Sequence, residues 1–186
     1  TMDREILTGL LGTAYTGAAG ATPVSLAHTV NVNSWKYGAG TGNAGLTVTK
    51  LIEAKEILDG NEVDGDEAMA ERFCVVTSKQ IADLLATTEA TSSDFSEVKA
   101  LVRGEIDTFL GFKFIRTQLV PTDSNSYRRV VAYQRAGGYL ALNDDVNGDI
   151  GPRRDKNNAT QASCFSSFGA ARVDEKRVVE IKCLEA

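Results

Sequence analysis

Apolar residues recur at helical spacing from the front of the chain, where Ile6, Leu7, Leu10 and Leu11 fall on one side of the stretch Met2 to Leu11. The spacing predicts a helix there, ended by the Gly- and Thr-rich run from Gly12 to Gly20. From Ala21 to Gly45 the chain is rich in Gly, Asn, Ser and Thr with a weak Val30/Val32 alternation, which predicts a long loop holding one short strand. Leu46 to Leu58 gives the clearest helix. Val48, Leu51, Ile52, Ala54 and Leu58 form its apolar side, Lys50, Glu53, Lys55 and Glu56 its polar side, and Thr47 its N-cap. A helix of this kind is expected to cover a sheet.

Asp59 to Glu71 follows as an acidic loop, and Phe73 to Val76 is a short apolar run of the kind a buried strand shows. Thr77 with Gln80 makes a capping box, because each side chain can satisfy a backbone N–H that the first helical turn leaves without a partner, and Ile81, Leu84 and Leu85 supply the buried stripe behind it. Asp94 and Glu97 repeat that logic for a third helix carrying Val98, Leu101 and Val102 and closed by Gly104.

The period then drops to two. Phe112, Phe114 and Arg116 alternate with Lys113, Ile115 and Thr117, and Pro121 to Ser126 has the composition of a turn. Val130 to Tyr133 and Tyr139 to Leu142 suggest a strand pair around Gly137-Gly138. Thr160 to Phe168 and Arg177 to Cys183 read as two more strands joined by a polar turn at Asp174 to Lys176. Helices first and strands later predict an α+β fold, a mixed sheet flanked by helices with a strand-rich portion at the end.

Composition narrows the function classes. The 186 residues suffice for one domain with a real core, and folding at this length buries about 70% of the unfolded surface. Lys plus Arg total 20 against 25 for Asp plus Glu, a formal charge of -5, which argues against a dedicated nucleic-acid reader. The pairs Arg128-Arg129, Arg153-Arg154 and Lys176-Arg177 read as solvated surface. Cys74, Cys164 and Cys183 are too far apart and odd in number for a disulfide framework or a paired metal site, and read as reduced, half-buried residues. No run approaches a membrane span and no secretory leader is visible, so the chain is expected to be intracellular when made, and its start at Thr1 inside a helix suggests that a natural beginning is missing.

Candidate chemistry is sparse. Gly40-Thr41-Gly42-Asn43-Ala44-Gly45 spells GxGxxG ahead of a helix, but the preceding Asn33 to Tyr37 is not a buried parallel strand, so a flexible glycine-rich loop is the expected meaning and a nucleotide-binding enzyme the rival. Asn143, Asp145, Asn147 and Gly148 imitate the opening of a calcium loop, yet Arg154 stands where a bidentate glutamate is needed, and a polar turn is expected. Asp59, Glu62, Asp64, Asp66 and Glu67 could gather a divalent ion but read first as a hydrated surface loop. His28, the single histidine, has Ser25 nearby without a nucleophile elbow, and Asn158-Ala159-Thr160 is a chance glycosylation sequon.

Three segments carry a resemblance: Gly45-Leu46-Thr47 through Leu58-Asp59, Phe73-Cys74-Val75-Val76-Thr77 through Leu84-Leu85, and above all the run from Val98 to Phe112 with its Gly104 and Gly111. With the Leu-Val-Pro turn that follows, Arg153, Asp155 and Lys156 before a strand, Gly169-Ala170-Ala171-Arg172, and the closing Val178-Val179-Glu180-Ile181, the chain resembles the major capsid proteins of tailed bacteriophages with the Hong Kong 97-type fold. Leu10 to Ala14 is similar to the end of that family's spine helix, while the N-terminal arm and extended loop have no counterpart here.

The resemblance implies a Hong Kong 97-like α+β capsid fold. Residues 1–44 would be the end of the spine helix and a loop of a peripheral domain, 45–145 an axial domain, and 146–186 the return strands of the peripheral domain. It implies a structural subunit that assembles with copies of itself into pentameric and hexameric capsomers and an icosahedral shell around double-stranded DNA. Other virion proteins would be partners, packaged DNA would be touched only non-specifically, and no membrane, cofactor or catalytic residue is expected. The place of work would be the virion capsid, assembled in the bacterial cytoplasm. The acidic group Asp59, Glu62, Asp64, Asp66 and Glu67 would be a capsomer-contact loop. A phage tail or adaptor module is the alternative.

Overall fold

The computed structural model describes residues 2–38, 40–61, 63, 71–86 and 108–185. Its centre is a six-stranded mixed sheet in the order β3-β10-β7-β4-β6-β5, built from β3 (Thr29–Val30), β4 (Arg72–Val76), β5 (Thr108–Phe109), β6 (Phe112–Arg116), β7 (Arg128–Gln134) and β10 (Val178–Cys183). β3 runs parallel to β10, and β4 parallel to β6, while the other neighbours are antiparallel. Strand periodicity divides the side chains between two faces.

Cys74 and Val76 of β4, Val130 and Ala132 of β7, and Val179, Ile181 and Cys183 of β10 pack into the larger core under α2 (Val48–Gly60) and α3 (Ser78–Ala86), which contribute Leu51, Ala54, Leu58, Ile81 and Leu84. The opposite face holds Val75, Val131, Val178 and Tyr133, and α1 (Met2–Leu11) covers it with Leu7 and Leu11. Phe73 and Tyr133 stack there across neighbouring strands, ring centroids 5.5 Å apart. Arg129 on the same face donates to Glu180 at 2.6 Å and to the Leu11 carbonyl at 3.0 Å, tying the end of α1 to the sheet.

The local signals for the first helices hold. α1 covers the expected residues, and Thr47 caps α2, its hydroxyl accepting from the Lys50 N–H at 3.4 Å. The capping box of α3 is complete: the Thr77 N–H donates to Gln80 Oε1 at 2.8 Å, and the Gln80 N–H donates to Thr77 Oγ1 at 3.4 Å. Between β5 and β6 the turn passes through Leu110 and Gly111 at φ 52° and 83°, the two-residue geometry that matches the twist of a hairpin. The third helix expected around Val98 lies outside the described residues.

Four expectations fail. Lys50, assigned to the polar side of α2, is fully buried, and Ile52, assigned to the apolar side, is exposed, so the helix is rotated relative to its apparent stripe. Val130–Tyr133 and Tyr139–Leu142 do not pair, because β7 is inserted between β10 and β4 while the chain leaves the sheet through a 3-10 turn at Arg135–Gly137. Asn143 to Gly148 is not a turn but part of a 16-residue strand, β8 (Gly138–Arg153), whose partner is β9 (Ala159–Arg172). A small hairpin of β1 (Ala14–Thr16) and β2 (Thr22–Val24) also occupies part of the stretch read as loop.

Candidate functional site

β8 and β9 form a two-stranded ribbon that belongs to neither face of the main sheet. Its register sorts the side chains. Leu140–Ala170, Leu142–Phe168, Gly148–Cys164, Ile150–Ala162 and Pro152–Thr160 are paired on one face, and Asn147–Phe165, Asp149–Ser163, Gly151–Gln161 and Arg153–Ala159 on the other. The two register shifts, between Leu142 and Asp144 and between Asp144 and Asn147, add residues to β8 only. They restore the apolar phase on the far side of the polar segment. The first face is therefore apolar over most of its length and the second mainly polar.

α1 lies against the apolar face at the root of the ribbon. Gly138 sits under Leu10, and a Cβ on Gly9 would come within 2.6 Å of the Ala170 carbonyl oxygen, so only glycine lets helix and strand approach this closely. Arg172 fixes the junction. Its fully buried guanidinium donates to the carbonyls of Leu10 at 2.7 Å, Gly12 at 2.6 Å and Val24 at 3.0 Å, and pairs with Glu175 at 2.6 Å. Two of those carbonyls belong to the end of α1, where the helix leaves acceptors without internal partners and carries partial negative charge. Beyond Leu142 the apolar face is bare: Leu142 is 56% exposed and Ile150 76%. The ribbon ends in a 3-10 turn at Arg154–Lys156, then Asn157 and Asn158 at φ 54° and 60°.

A groove of about 610 Å³ runs between α1 and β9, lined by Glu5, Thr8, Tyr15 and Phe168 among small residues and backbone, with Arg172 already engaged by four acceptors. It brings no acid–base pair or nucleophile together. Among the described residues no group of three or more His, Cys, Asp or Glu is placed to hold a metal ion, and no helix is long and apolar enough to cross a membrane.

The residues singled out from the sequence are dispersed. Asp59, at the end of α2, pairs with Arg72 at 2.6 Å, whereas Glu62, Asp64, Asp66 and Glu67 lie outside the described residues. His28 is half-buried, its Nε2 accepting from the Asn61 amide at 3.2 Å, and Ser25 is exposed. The would-be calcium ligands Asn143 to Gly148 are strung along β8, and Asn158 stands at the ribbon tip.

The glycine-rich motif is bonded the wrong way round for a phosphate. A phosphate loop directs N–H groups at its ligand, but here the Ala44 N–H is taken by the Val32 carbonyl at 3.0 Å, and the carbonyls of Ala44 and Gly45 face an amine, that of Lys50.

Two further readings need correction. Arg128 and Arg129 are half-buried and paired rather than simply solvated: Arg128 pairs with Glu185 and donates to the Val120 carbonyl at 2.7 Å, and Arg129 pairs with Glu180 and donates to the Leu11 carbonyl. Arg177 likewise donates to Gln134 at 2.7 Å and pairs with Asp174 at 2.9 Å. Of the three cysteines, Cys74 and Cys183 are wholly buried and Cys164 is exposed on the ribbon. Burial pushes the Cys183 thiol up to about 12 and the Cys74 thiol higher still.

The family model described as "Phage capsid protein" matches residues 1–185. A search of curated proteins gives no match. Among solved structures, the capsid of Ralstonia phage GP4 is 15% identical with a TM-score of 0.60 over 98% of this chain and 62% of its own. The cyanophage Pam1 capsid is 14% identical with a TM-score of 0.62 over 98% of this chain and 63% of its own. A virus-like particle from Pyrococcus furiosus is 16% identical with a TM-score of 0.53, covering 97% of this chain and 60% of its own. The chain thus spans about three fifths of the length of these structures. At such identities the likeness concerns the fold, and it is the Hong Kong 97-like capsid fold that the sequence suggested.

Proposed function

Because the chain belongs to the phage capsid protein family, we propose that it is a structural subunit that associates with copies of itself to build a shell, and that the apolar face of the β8–β9 ribbon is one of its contact surfaces. The observation that carries this is the bare stripe of Leu140, Leu142, Ile150 and Cys164 on a ribbon that has only two strands. Two strands without a third layer are marginal in water, and an exposed apolar face of this kind marks a partner site. A second copy of the chain is the partner, in keeping with the assemblies in which the structural neighbours were solved.

In this reading the copies form pentameric and hexameric capsomers and then an icosahedral shell around double-stranded DNA, in the virion and after assembly in the bacterial cytoplasm. Ring-forming contacts are heterologous, with each modest patch meeting a different one on the neighbour. Residues 45–145 form the axial unit, with 1–44 and 146–186 in a peripheral unit, and the acidic group Asp59, Glu62, Asp64, Asp66 and Glu67 faces a neighbouring subunit. The formal charge of -5 supports a lining that touches DNA only non-specifically, since a basic lining would grip its cargo. The subunit works without a catalytic step or cofactor, and other virion proteins dock on the finished shell.

The test is electron microscopy of the full-length protein expressed in bacteria, beside the double variant Leu142→Asp, Ile150→Asp. Closed shells from the parent and none from the variant are the expected result. Rods or single rings from the parent would favour a tail or adaptor module instead. Shells that form equally well from both proteins would remove the ribbon from the interface.

A further inference from the structure

Two features lie outside the proposed contact surface: the motif Gly40 to Gly45, and a lysine in the apolar interior. They meet at one point. Lys50 stands in the first turn of α2, fully buried, and its Nζ donates to the carbonyls of Ala44 at 2.8 Å, Gly45 at 3.0 Å and Lys182 at 3.0 Å. An ammonium group has three N–H donors and no acceptor, and three carbonyls use all of them. The Ala44 carbonyl also accepts from the Leu184 N–H at 2.9 Å. The glycine-rich loop, the start of α2 and the end of β10, up to 138 positions apart between Ala44 and Cys183-flanking Lys182, therefore close on a single cation.

We propose that Lys50 is a cationic latch: its ammonium holds the glycine-rich loop at Ala44 and Gly45 shut against the end of β10, and the three-carbonyl cage is a binding site for a primary ammonium group. Burial lowers the proton affinity of Lys50, and the carboxylates of Glu53 and Asp83 partly offset that effect. Asp83 is itself held by Lys79 at 2.7 Å, and Glu53 accepts from Ser34 in the outer part of the loop. That outer part is held further by the Trp35 indole, which donates to the Gly42 carbonyl at 2.9 Å, by the Asn43 amide, which donates to the Tyr127 hydroxyl at 3.0 Å, and by Lys36, which pairs with Glu56 at the surface. With the charge removed, the carbonyls of Gly45 and Lys182 lose the donor that satisfied them, and water can reach them only if the loop opens.

The test compares Lys50→Met, Lys50→Arg and Lys50→Ala in the purified chain, reading tryptic cleavage after Lys36 and amide exchange at Ala44 and Leu184, with exchange at Val75 and Val131 as the control in the sheet. Lys50→Met is expected to speed cleavage and loop exchange about tenfold or more, the loss of charge-assisted hydrogen bonds expressed as an opening equilibrium, with the sheet amides unchanged. n-Propylammonium should restore protection to Lys50→Ala while propanol, of similar shape and uncharged, should not. Wild-type cleavage in Lys50→Met, or equal rescue by propanol, would overturn the latch. If the Met and Ala variants do not fold, the wild-type chain decides: a slowly exchanging Lys50 ammonium signal in nitrogen-detected NMR supports the cage, and its absence sinks it.

Discussion

The main sheet and the β8–β9 ribbon use apolar residues in opposite ways. In the sheet one face lies under α2 and α3 and part of the other under α1, so that Phe112 and Ile181 are removed from water by other parts of the same chain. In the ribbon one face is just as clearly sorted by register, yet Leu142 and Ile150 remain in solvent. Sorting without covering is what the proposed contact role of the ribbon requires, since burial stabilises only where it occurs. Arg172 marks the border, because its buried guanidinium grips the end of α1 on one side and the ribbon root on the other.

Three measurements would break or sharpen that contrast. Truncating the sheet should have the largest effect: Phe112→Ala is expected to lower unfolding free energy by about 3–5 kcal/mol in denaturant titration, through lost transfer energy and the cavity left behind. A loss near zero would mean that the sheet is no better packed than the ribbon.

The buried thiols come next. Cys74 and Cys183 keep their protons in the folded chain, Cys183 up to about 12, whereas the unfolded thiols ionise near 9. Folding therefore holds protons that the unfolded chain gives up, so this contribution is complete below pH 9 and is lost as pH rises from 9 towards 12 and above. Each thiol should contribute a slope of about 1.4 kcal/mol per pH unit in that window. Lys50, whose proton affinity is lowered by burial, works in the other direction as pH approaches 10.5. Cys183→Ala should remove one thiol's worth of the slope, and an unchanged slope would contradict its burial. The smallest effect belongs to the ribbon: Ile150→Ala should shift chemical stability by no more than about 0.5 kcal/mol, the range of exposed substitutions. A loss of several kcal/mol would show that the face is covered within one chain.

Much of the sheet and its helices was legible because their signals are local. Thr47 and the Thr77/Gln80 pair announce helix starts within four residues, and the alternation of Phe112 and Phe114 with Lys113 and Ile115 states which side of β6 is buried. The ribbon was not legible for a related reason. Asn143 to Gly148 carries turn chemistry, and the bulges that absorb it depend on a partner strand some twenty residues further on. Lys50 was misassigned because helical periodicity registers only that the residue is charged, while two of its acceptors lie in the preceding loop and the third, on Lys182, is 132 positions away. Arg172 was visible only as part of a resemblance: nothing near it in sequence reveals that its acceptors are carbonyls of residues 10, 12 and 24. The acidic group near Asp59 shows the same limit, since its spacing fixes charge but no geometry.

The place of β10 in the sheet sets an order of events during synthesis. It follows every other described strand in the chain, yet it sits between β3 and β7 and pairs with both. Until Val178 to Cys183 leave the ribosome, β3 has no neighbour and one edge of β7 is open, so the nascent protein must wait with a gap in its middle while the ribbon, joined by a short turn, can already close. The arrival of β10 thus joins β3 to the rest of the sheet and removes an open strand edge of the kind that favours aggregation.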